Sequence, residues 1–452
     1  MDYIATTNAQ REEMLATIGV ASIADLFSDI PEAHRFPELD VPSGQSEWEV
    51  WAEMRRLARG NQDLDHYTCF LGAGAYRHFV PSTIGHLVSR GEFLTSYTPY
   101  QPEVAQGTLQ SIYEFQSLVC ELTGMDVANS AMYDGATALA EAALMACRWT
   151  KRERVLVADT VHPFSRNVLA TYFHGQDLTI EEAPAWGPAT DGGGPLHRRA
   201  DLASAVDDRT ACLIVQQPNF LGWLEEVEGL AEATHAAGAL LVVAVDPISL
   251  GLLRPPGAYG ADIVVGEGKW TGWPPDFGGP SVGLFAARQE YVRQLPGRIV
   301  GATEDEDGRR AFVLTLQTRE QHIRRERATS NICTSEALVA LGMTIYLCQM
   351  GKHGLREAAT LSLQKAHYAA SRCDQLAGYS VVSGAPYFKE FVLRCPRPVS
   401  EVNRVLLERG IMGGLDLGRY YSDLDDHMLI CVTEINTRAE IEALVAGLEA
   451  AR

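Results

Sequence analysis

The chain has 452 residues, 58 acidic and 38 basic side chains, and a formal net charge of −20. Hydrophobic residues make up 46% and charged residues 21%, which suits a globular chain long enough for more than one domain, while so acidic a surface opposes binding to nucleic acid or anionic lipid. Nine cysteines at irregular spacings, with no CxxC pair, read as free thiols in a reducing compartment rather than a disulfide frame or a metal site.

The opening MDYIATTNAQREEM has no basic stretch followed by an apolar one, and the longest apolar run, near Ala236–Val245, is too short to span a bilayer. A soluble cytoplasmic protein is expected. The first sixty residues read as mostly helical, with a loop at PEAHRFPELDVPSG and a helix over Trp48–Ala58 carrying Trp51, Met54 and Leu57. Such a lobe suits packing on a partner. Pro102–Thr123 is predicted as a helix with the apolar stripe Ile112, Phe115, Val119 and Leu122, closed by Gly124. A second helix is predicted from Gly135 or Ala136 to Trp149.

Strands Val155–Ala158, Ala211–Val215, Leu240–Val245, Ala261–Gly266 and Val282–Ala286 then alternate with helices Pro163–His174 and Leu230–Ala237. Short apolar strands of this kind belong to a mostly parallel sheet covered on both faces. Gly192–Gly194 reads as loop, and Asp201, Asp207 and Asp208 as solvated positions. After Arg288 the sheet pattern is expected to stop, with helices over Phe312–Arg327, Ser335–Met350 and Leu355–Leu376. Glu390–Cys395, Val402–Arg409, Met428–Thr433 and Ala439–Leu448 alternate strand, helix, strand, helix. The expected organisation is a lobe (1–92), a large α/β domain (93–330), linking helices (331–376) and a small C-terminal α+β domain (377–452).

Four features fall at the ends of strands or the starts of helices, where ligands of parallel sheets bind. Gly135, Ala136 and Thr137 open a helix whose free N–H groups suit a phosphate; Asp134 as a plain helix cap explains the same residues. His162 follows a strand and can stack on an aromatic ring or cap the next helix. Asp246 ends the most apolar strand and needs a cation, which a protonated pyridine nitrogen, an arginine or a backbone cap would satisfy. Lys269, in GEGKWT, suits a Schiff base if its pKa falls, and suits solvent otherwise. Together they follow the order of a pyridoxal-phosphate site. A nicotinamide site is less well supported, because no GxGxxG follows an early strand. Before the sheet, Tyr97, Thr98, Tyr100, Gln101, Glu103 and Gln106 crowd a proline-rigid turn of the kind that lines ligands. Arg77 and His78, in a glycine-rich segment, suit a carboxylate substrate or a partner.

The segments FLGAGAYRHFVPSTI (Phe70–Ile84), FLTSYTPYQPEVAQGTLQSIYEFQ (Phe93–Gln116), MYDGATALAEA (Met132–Ala142), QQPNFLG (Gln216–Gly222) and TSNICTSEAL (Thr329–Leu338) resemble the P-protein family of the glycine cleavage system. So do PPGAYGADIVVGEG (Pro255–Gly268), FGGPSVGLFA (Phe277–Ala286) and RQLPGRIVG (Arg293–Gly301). The resemblance implies a fold-type-I pyridoxal-phosphate-dependent transferase-like fold. It also implies a glycine decarboxylase, glycine dehydrogenase (aminomethyl-transferring), that passes an aminomethyl group to the lipoyl arm of the H-protein. The family occurs as one long chain or as two subunits, and this length is similar to the first subunit. The second carries the cofactor lysine in a histidine–lysine–threonine motif, which GEGKWTGWPPDFGGP lacks. By resemblance, pyridoxal phosphate is bound covalently by the partner, in a heterodimer or a two-plus-two heterotetramer. Tyr97, Thr98, Tyr100, Gln101, Glu103 and Gln106, with Arg77 and His78 as weaker candidates, would line the shared cleft. Gly135, Ala136, Thr137, His162, Asp246 and Lys269 would be a relic of a duplicated fold. A self-contained pyridoxal-phosphate enzyme using Lys269 and a non-catalytic scaffold remain the alternatives.

Overall fold

A computed structural model of the chain describes residues 3–187, 197–198, 202–382 and 385–452. Gly192–Gly194 and Asp201 lie outside the described residues. The chain divides into two compact units, Met1–Asp63 and Leu64–Arg452.

The first unit holds the helices Asn8–Ile18 and Glu47–Ala58, with single 3-10 turns between them at Ile23–Phe27 and Glu32–His34. Thr7 and Ser46 cap the two helices through side-chain oxygens, each in a reciprocal capping box. Trp48 and Trp51 stack at 4.9 Å, and Met54 and Leu57 continue the same row, all exposed. None of the described residues from Tyr3 to Asp63 is buried. A segment with regular helices and apolar rows, but no interior, is not stabilised by a core of its own.

In the second unit a seven-stranded sheet runs in the order Val127–Ala128, Gly283–Ala287, Ile263–Glu267, Leu240–Val245, Thr210–Gln217, Arg154–Ala158, Thr179–Ala183. The last five strands pair in parallel, and Gly283–Ala287 pairs antiparallel with both neighbours. The central strands are buried along nearly their whole length, as their unbroken Val/Ile/Leu/Ala runs require. Helices Gln106–Thr123, Gly135–Thr150 and Pro163–Phe173 belong to this unit, and Gly124, left-handed at φ 70°, ends the first as expected.

One expectation is corrected. The sheet pattern does not stop at Arg288: Ile299–Glu304 and Arg310–Thr315 form an antiparallel hairpin where Phe312–Arg327 was expected to be helical. The period there is two, with Phe312 and Leu314 buried against Leu109 and Ile112 on one face. The basic run after it forms only single turns, Gln321–Arg324 and Arg325–Arg327. The two linking helices are found as expected: the span Ala337–Asp374 is divided at Gly351, whose backbone (φ 57°, ψ −175°) is not helical.

The C-terminal part carries a second, antiparallel sheet in the order Ser380–Val381, Glu390–Arg394, His427–Cys431, Leu415–Asp416. Phe391, Leu393, Met428 and Ile430 pack with helix residues Val402, Leu406, Leu444 and Leu448 into its own core. Residues just before and within the strand Glu390–Arg394 reach the large sheet, and this is where the chemistry collects.

Candidate functional site

The carboxyl ends of the parallel strands open on a cavity of about 530 Å³. Gly135, Ala136, His162, Asp246 and Lys269 all line it; Thr137 does not. So the fold brings together five of the six residues that the sequence suggested as a cofactor constellation.

Asp246 directly follows the strand Leu240–Val245, and its Oδ1 accepts the Ile248 N–H at 3.1 Å. Its Oδ2 lies 2.8 Å from Lys389 Nζ, an ion pair rather than an aligned hydrogen bond. Lys389 is 2% exposed and stands 3.4 Å above the centre of the Tyr76 ring. Its ammonium also donates to His78 Nε2 at 2.9 Å. An ammonium has only donors, so Nε2 is the acceptor and Nδ1 carries the proton, which it gives to Glu434 Oε2 at 2.6 Å. That is a neutral imidazole, in line with burial and the Lys389 charge pushing its pKa down. Burial works to raise the Glu434 pKa, but its hydrogen bonds, from His78 and the Phe79 N–H, prevail and hold it at about 2. Next in the chain, the buried Glu390 accepts from the Ala73 N–H at 2.6 Å and the Tyr76 hydroxyl at 2.8 Å, and burial pushes it up to about 7.

The opposite end of the cavity is also internally satisfied. Asp134 caps the helix Gly135–Thr150 by accepting the Thr137 N–H at 2.8 Å, and Thr137 Oγ1 accepts the Asp134 N–H in return. Asp134 therefore caps the helix, as one of the two readings of this motif expects. Glu267, at the end of its strand, accepts the N–H groups of Gly135 (3.1 Å), Lys269 (2.9 Å) and Val282 (3.0 Å). A Cβ on Gly135 would lie 2.8 Å from the Glu267 backbone nitrogen, so only glycine allows this approach. Burial raises the Glu267 pKa against the pull of those three donors. His162 accepts the Phe164 N–H on Nδ1 at 3.1 Å, leaving Nε2–H to donate to the Ala73 carbonyl at 2.9 Å. Burial holds its pKa down. Lys269 is 3% exposed, its pKa lowered by burial, and its Nζ donates to the Gly279 carbonyl at 2.7 Å.

The Tyr97–Gln106 loop has a different anchor. Arg298 and Glu320, both buried, pair at 3.1 Å, and Arg298 donates to the Tyr100 hydroxyl at 2.6 Å and lies 3.4 Å from Thr98 Oγ1. Tyr97 reaches Thr334 Oγ1 at 3.3 Å. Tyr97, Tyr100, Gln101 and Glu103 are exposed. Gln106 is spent on backbone: its amide pairs with both the N–H and the carbonyl of Phe312 at 2.9 Å. The eight residues read as one cleft are divided. His78 joins the Asp246–Lys389 group, and the Arg77 carbonyl accepts the Thr433 hydroxyl at 2.6 Å.

Sequence reasoning missed Lys389, Glu390, Glu267, Glu434 and Arg298. Lys389-Glu390 did leave a signal, because a charged pair inside the aromatic run Tyr387–Phe391 demands buried partners. Among the described residues, no group of His, Cys, Asp and Glu is arranged to hold a metal ion, and no helix is long and apolar enough to cross a membrane.

The sheet order and the strand-end cavity are those of pyridoxal-phosphate enzymes of fold type I. Burkholderia pseudomallei sphingosine-1-phosphate lyase has the same fold, with a TM-score of 0.65 over 93% of this chain and 94% of that one, at 16% identity. A crystal structure of glycine decarboxylase (P-protein) of the glycine cleavage system, in inhibitor-bound form, superposes with a TM-score of 0.91 over 100% of both chains at 43% identity. The family model "Glycine cleavage system P-protein" matches residues 1–448. Two relatives, each named "Probable glycine dehydrogenase (decarboxylating) subunit 1", are 52% identical. That of Desulfitobacterium hafniense aligns over 99% of both chains and that of Thermomicrobium roseum over 100% of both. The chain belongs to the glycine cleavage system P-protein family.

Pyridoxal phosphate asks three things of such a pocket: a carboxylate for its ring nitrogen, free N–H groups for its phosphate and an available amine. Here the carboxylate of Asp246 is paired with Lys389, the Gly135 N–H is taken by Glu267, and Lys269 Nζ is bound to Gly279. The groups present do not fit the cofactor.

Proposed function

We propose that this chain is the first subunit of a two-subunit glycine decarboxylase of the glycine cleavage system. The partner, glycine dehydrogenase subunit 2, holds pyridoxal phosphate covalently. Together they decarboxylate glycine and pass the aminomethyl group to the lipoyl group of the H-protein, in a heterodimer or a two-plus-two heterotetramer. The names and full-length coverage of the relatives support the assignment. A coreless N-terminal unit with an exposed row of Trp48, Trp51, Met54 and Leu57 supports an obligate partner.

One observation carries the division of labour. The loop bearing Tyr97 and Tyr100 is exposed, yet Tyr100 is held by a buried Arg298–Glu320 pair. A rigid exposed loop of aromatic and polar side chains, with none of the first cavity's residues in it, is a wall waiting for a second surface. In this reading Tyr97, Thr98, Tyr100, Gln101 and Glu103 line the partner's cofactor cleft, where they orient glycine and exclude water. Gln106 positions the loop through Phe312. Arg77 is a remoter candidate, and His78 acts within this chain's own pocket.

The test is reconstitution with the partner and the H-protein. Tyr97→Phe, Thr98→Ala and Tyr100→Phe should each lower kcat/KM for glycine about tenfold or more, with assembly on a sizing column unchanged. Full turnover in all three would sink the shared cleft and favour a scaffold. A borohydride-trapped adduct at Lys269 in the isolated chain would instead favour a self-contained enzyme.

A further inference from the structure

We propose that Lys389 and Glu267 are built-in replacements for the two charged ends of a pyridoxal phosphate, and that together they close this chain's own pocket to that cofactor. The proposal shares with the proposed function the premise that the cofactor belongs to the partner, and it says what keeps the second pocket of the pair free of it.

At one end, a protonated pyridine nitrogen would offer Asp246 a single positive charge. Lys389 brings that charge to the same carboxylate at 2.8 Å, from the position just before the strand Glu390–Arg394 of the small sheet. It is fixed on its other sides by His78 at 2.9 Å and the Tyr76 ring at 3.4 Å. At the other end, a phosphate would take N–H groups at the start of the helix Gly135–Thr150. Glu267 already takes the Gly135 N–H, and its other oxygen takes those of Lys269 and Val282. Both replacements are tethered to the fold, so a free ligand competes with groups at high effective concentration and leaves a buried charge unpaired if it wins. Size is not the barrier: about 530 Å³ lies inside the range of small-molecule sites, roughly 300–1,000 Å³. The exclusion is one of charge, and charge is reversible by substitution.

The full-length chain is titrated with pyridoxal phosphate, followed by absorbance and tryptophan fluorescence, with methylammonium and inorganic phosphate as probes of the two ends. The wild type should not saturate. The Lys389→Ala/Glu267→Ala double variant should bind one equivalent saturably, about tenfold tighter or better, a gain of about 1.4 kcal/mol. Methylammonium should raise the melting temperature of Lys389→Ala alone, and phosphate that of Glu267→Ala alone.

Stoichiometric binding by the wild type would overturn the proposal, and so would a folded double variant that binds no better than the wild type. If the double variant does not fold, Asp246→Asn/Lys389→Ala decides. Freed of the unpaired carboxylate, it should melt above Lys389→Ala and ignore methylammonium. Should it melt no higher, Lys389 is not the counter-charge of Asp246 and the idea falls. Cofactor content of the separately purified partner tests the shared premise independently of these outcomes.

Discussion

The strand-end cavity and the Tyr97–Gln106 loop use the same kinds of side chain for opposite ends. In the cavity the ionisable groups are buried and turned on one another: Asp246 on Lys389, Lys389 on His78, His78 on Glu434. In the loop Tyr97, Tyr100, Gln101 and Glu103 are exposed, while the Tyr100 hydroxyl is held by the buried Arg298–Glu320 pair. The cavity's charges satisfy one another, whereas the loop is firmly held and still leaves aromatic and polar side chains exposed. Under the proposed function, the contrast separates residues that resemble a catalytic site from residues that would serve one.

The comparison breaks first at the loop's footing. Arg298→Ala leaves the buried Glu320 with only the half-exposed His322, 3.6 Å away, and releases Tyr100, so chemical denaturation should show a loss of about 3–5 kcal/mol. A loss below about 1 kcal/mol would mean that the footing does not hold the loop. Next comes the cavity's response to pH. Glu390 is surrounded by Tyr76, Lys389, Asp246 and Cys431, and burial raises it from 4.5 to about 7. The folded chain therefore holds a proton that the unfolded chain gives up. Its contribution is complete below about pH 4.5 and is lost as pH climbs through 7. The gap amounts to roughly 3 kcal/mol. Glu390→Gln, which keeps an acceptor for the Ala73 N–H, should flatten the stability profile between these limits by about that much. An unchanged slope would place the proton elsewhere.

A smaller effect is expected at Gln106. Gln106→Ala leaves the Phe312 N–H and carbonyl without their side-chain partner and should cost about 2 kcal/mol, read as a lower melting temperature. The smallest stability effect sharpens the contrast most. Tyr97 is 74% exposed, so Tyr97→Ala should change stability by no more than about 0.5 kcal/mol. Turnover of the reconstituted enzyme should nevertheless fall. A Tyr97 variant as destabilised as Gln106→Ala would mean that the loop is structural like its footing.

Much of this was legible in the residues. Short apolar runs such as Leu240–Val245, alternating with helices, argue for doubly covered strands, and the observed strand has the predicted limits. The helix start at Gly135 was expected from the glycine and small residues behind Asp134, and the strand-end positions of His162, Asp246 and Lys269 from the alternation of elements. The hairpin Ile299–Thr315 was not read, because the basic residues after it masked the period-two pattern of Phe312 and Leu314. Nor were the neighbours of His78: a carboxylate substrate or a partner was expected, and the ring lies between Glu434 and Lys389, which are 356 and 311 residues away.

The sequence by itself determined most of the elements and which strand ends carry ionisable groups, because periodicity and capping are local and are written within a few residues. It determined the family resemblance for the same reason, through motifs that survive as short strings. Only the tertiary structure decided which charges meet. Lys389 reaches Asp246, and Glu434 reaches His78, because the small sheet packs over the ends of the large one. A buried charge is defined by its partner, and no local pattern names a partner that the fold brings from the other end of the chain.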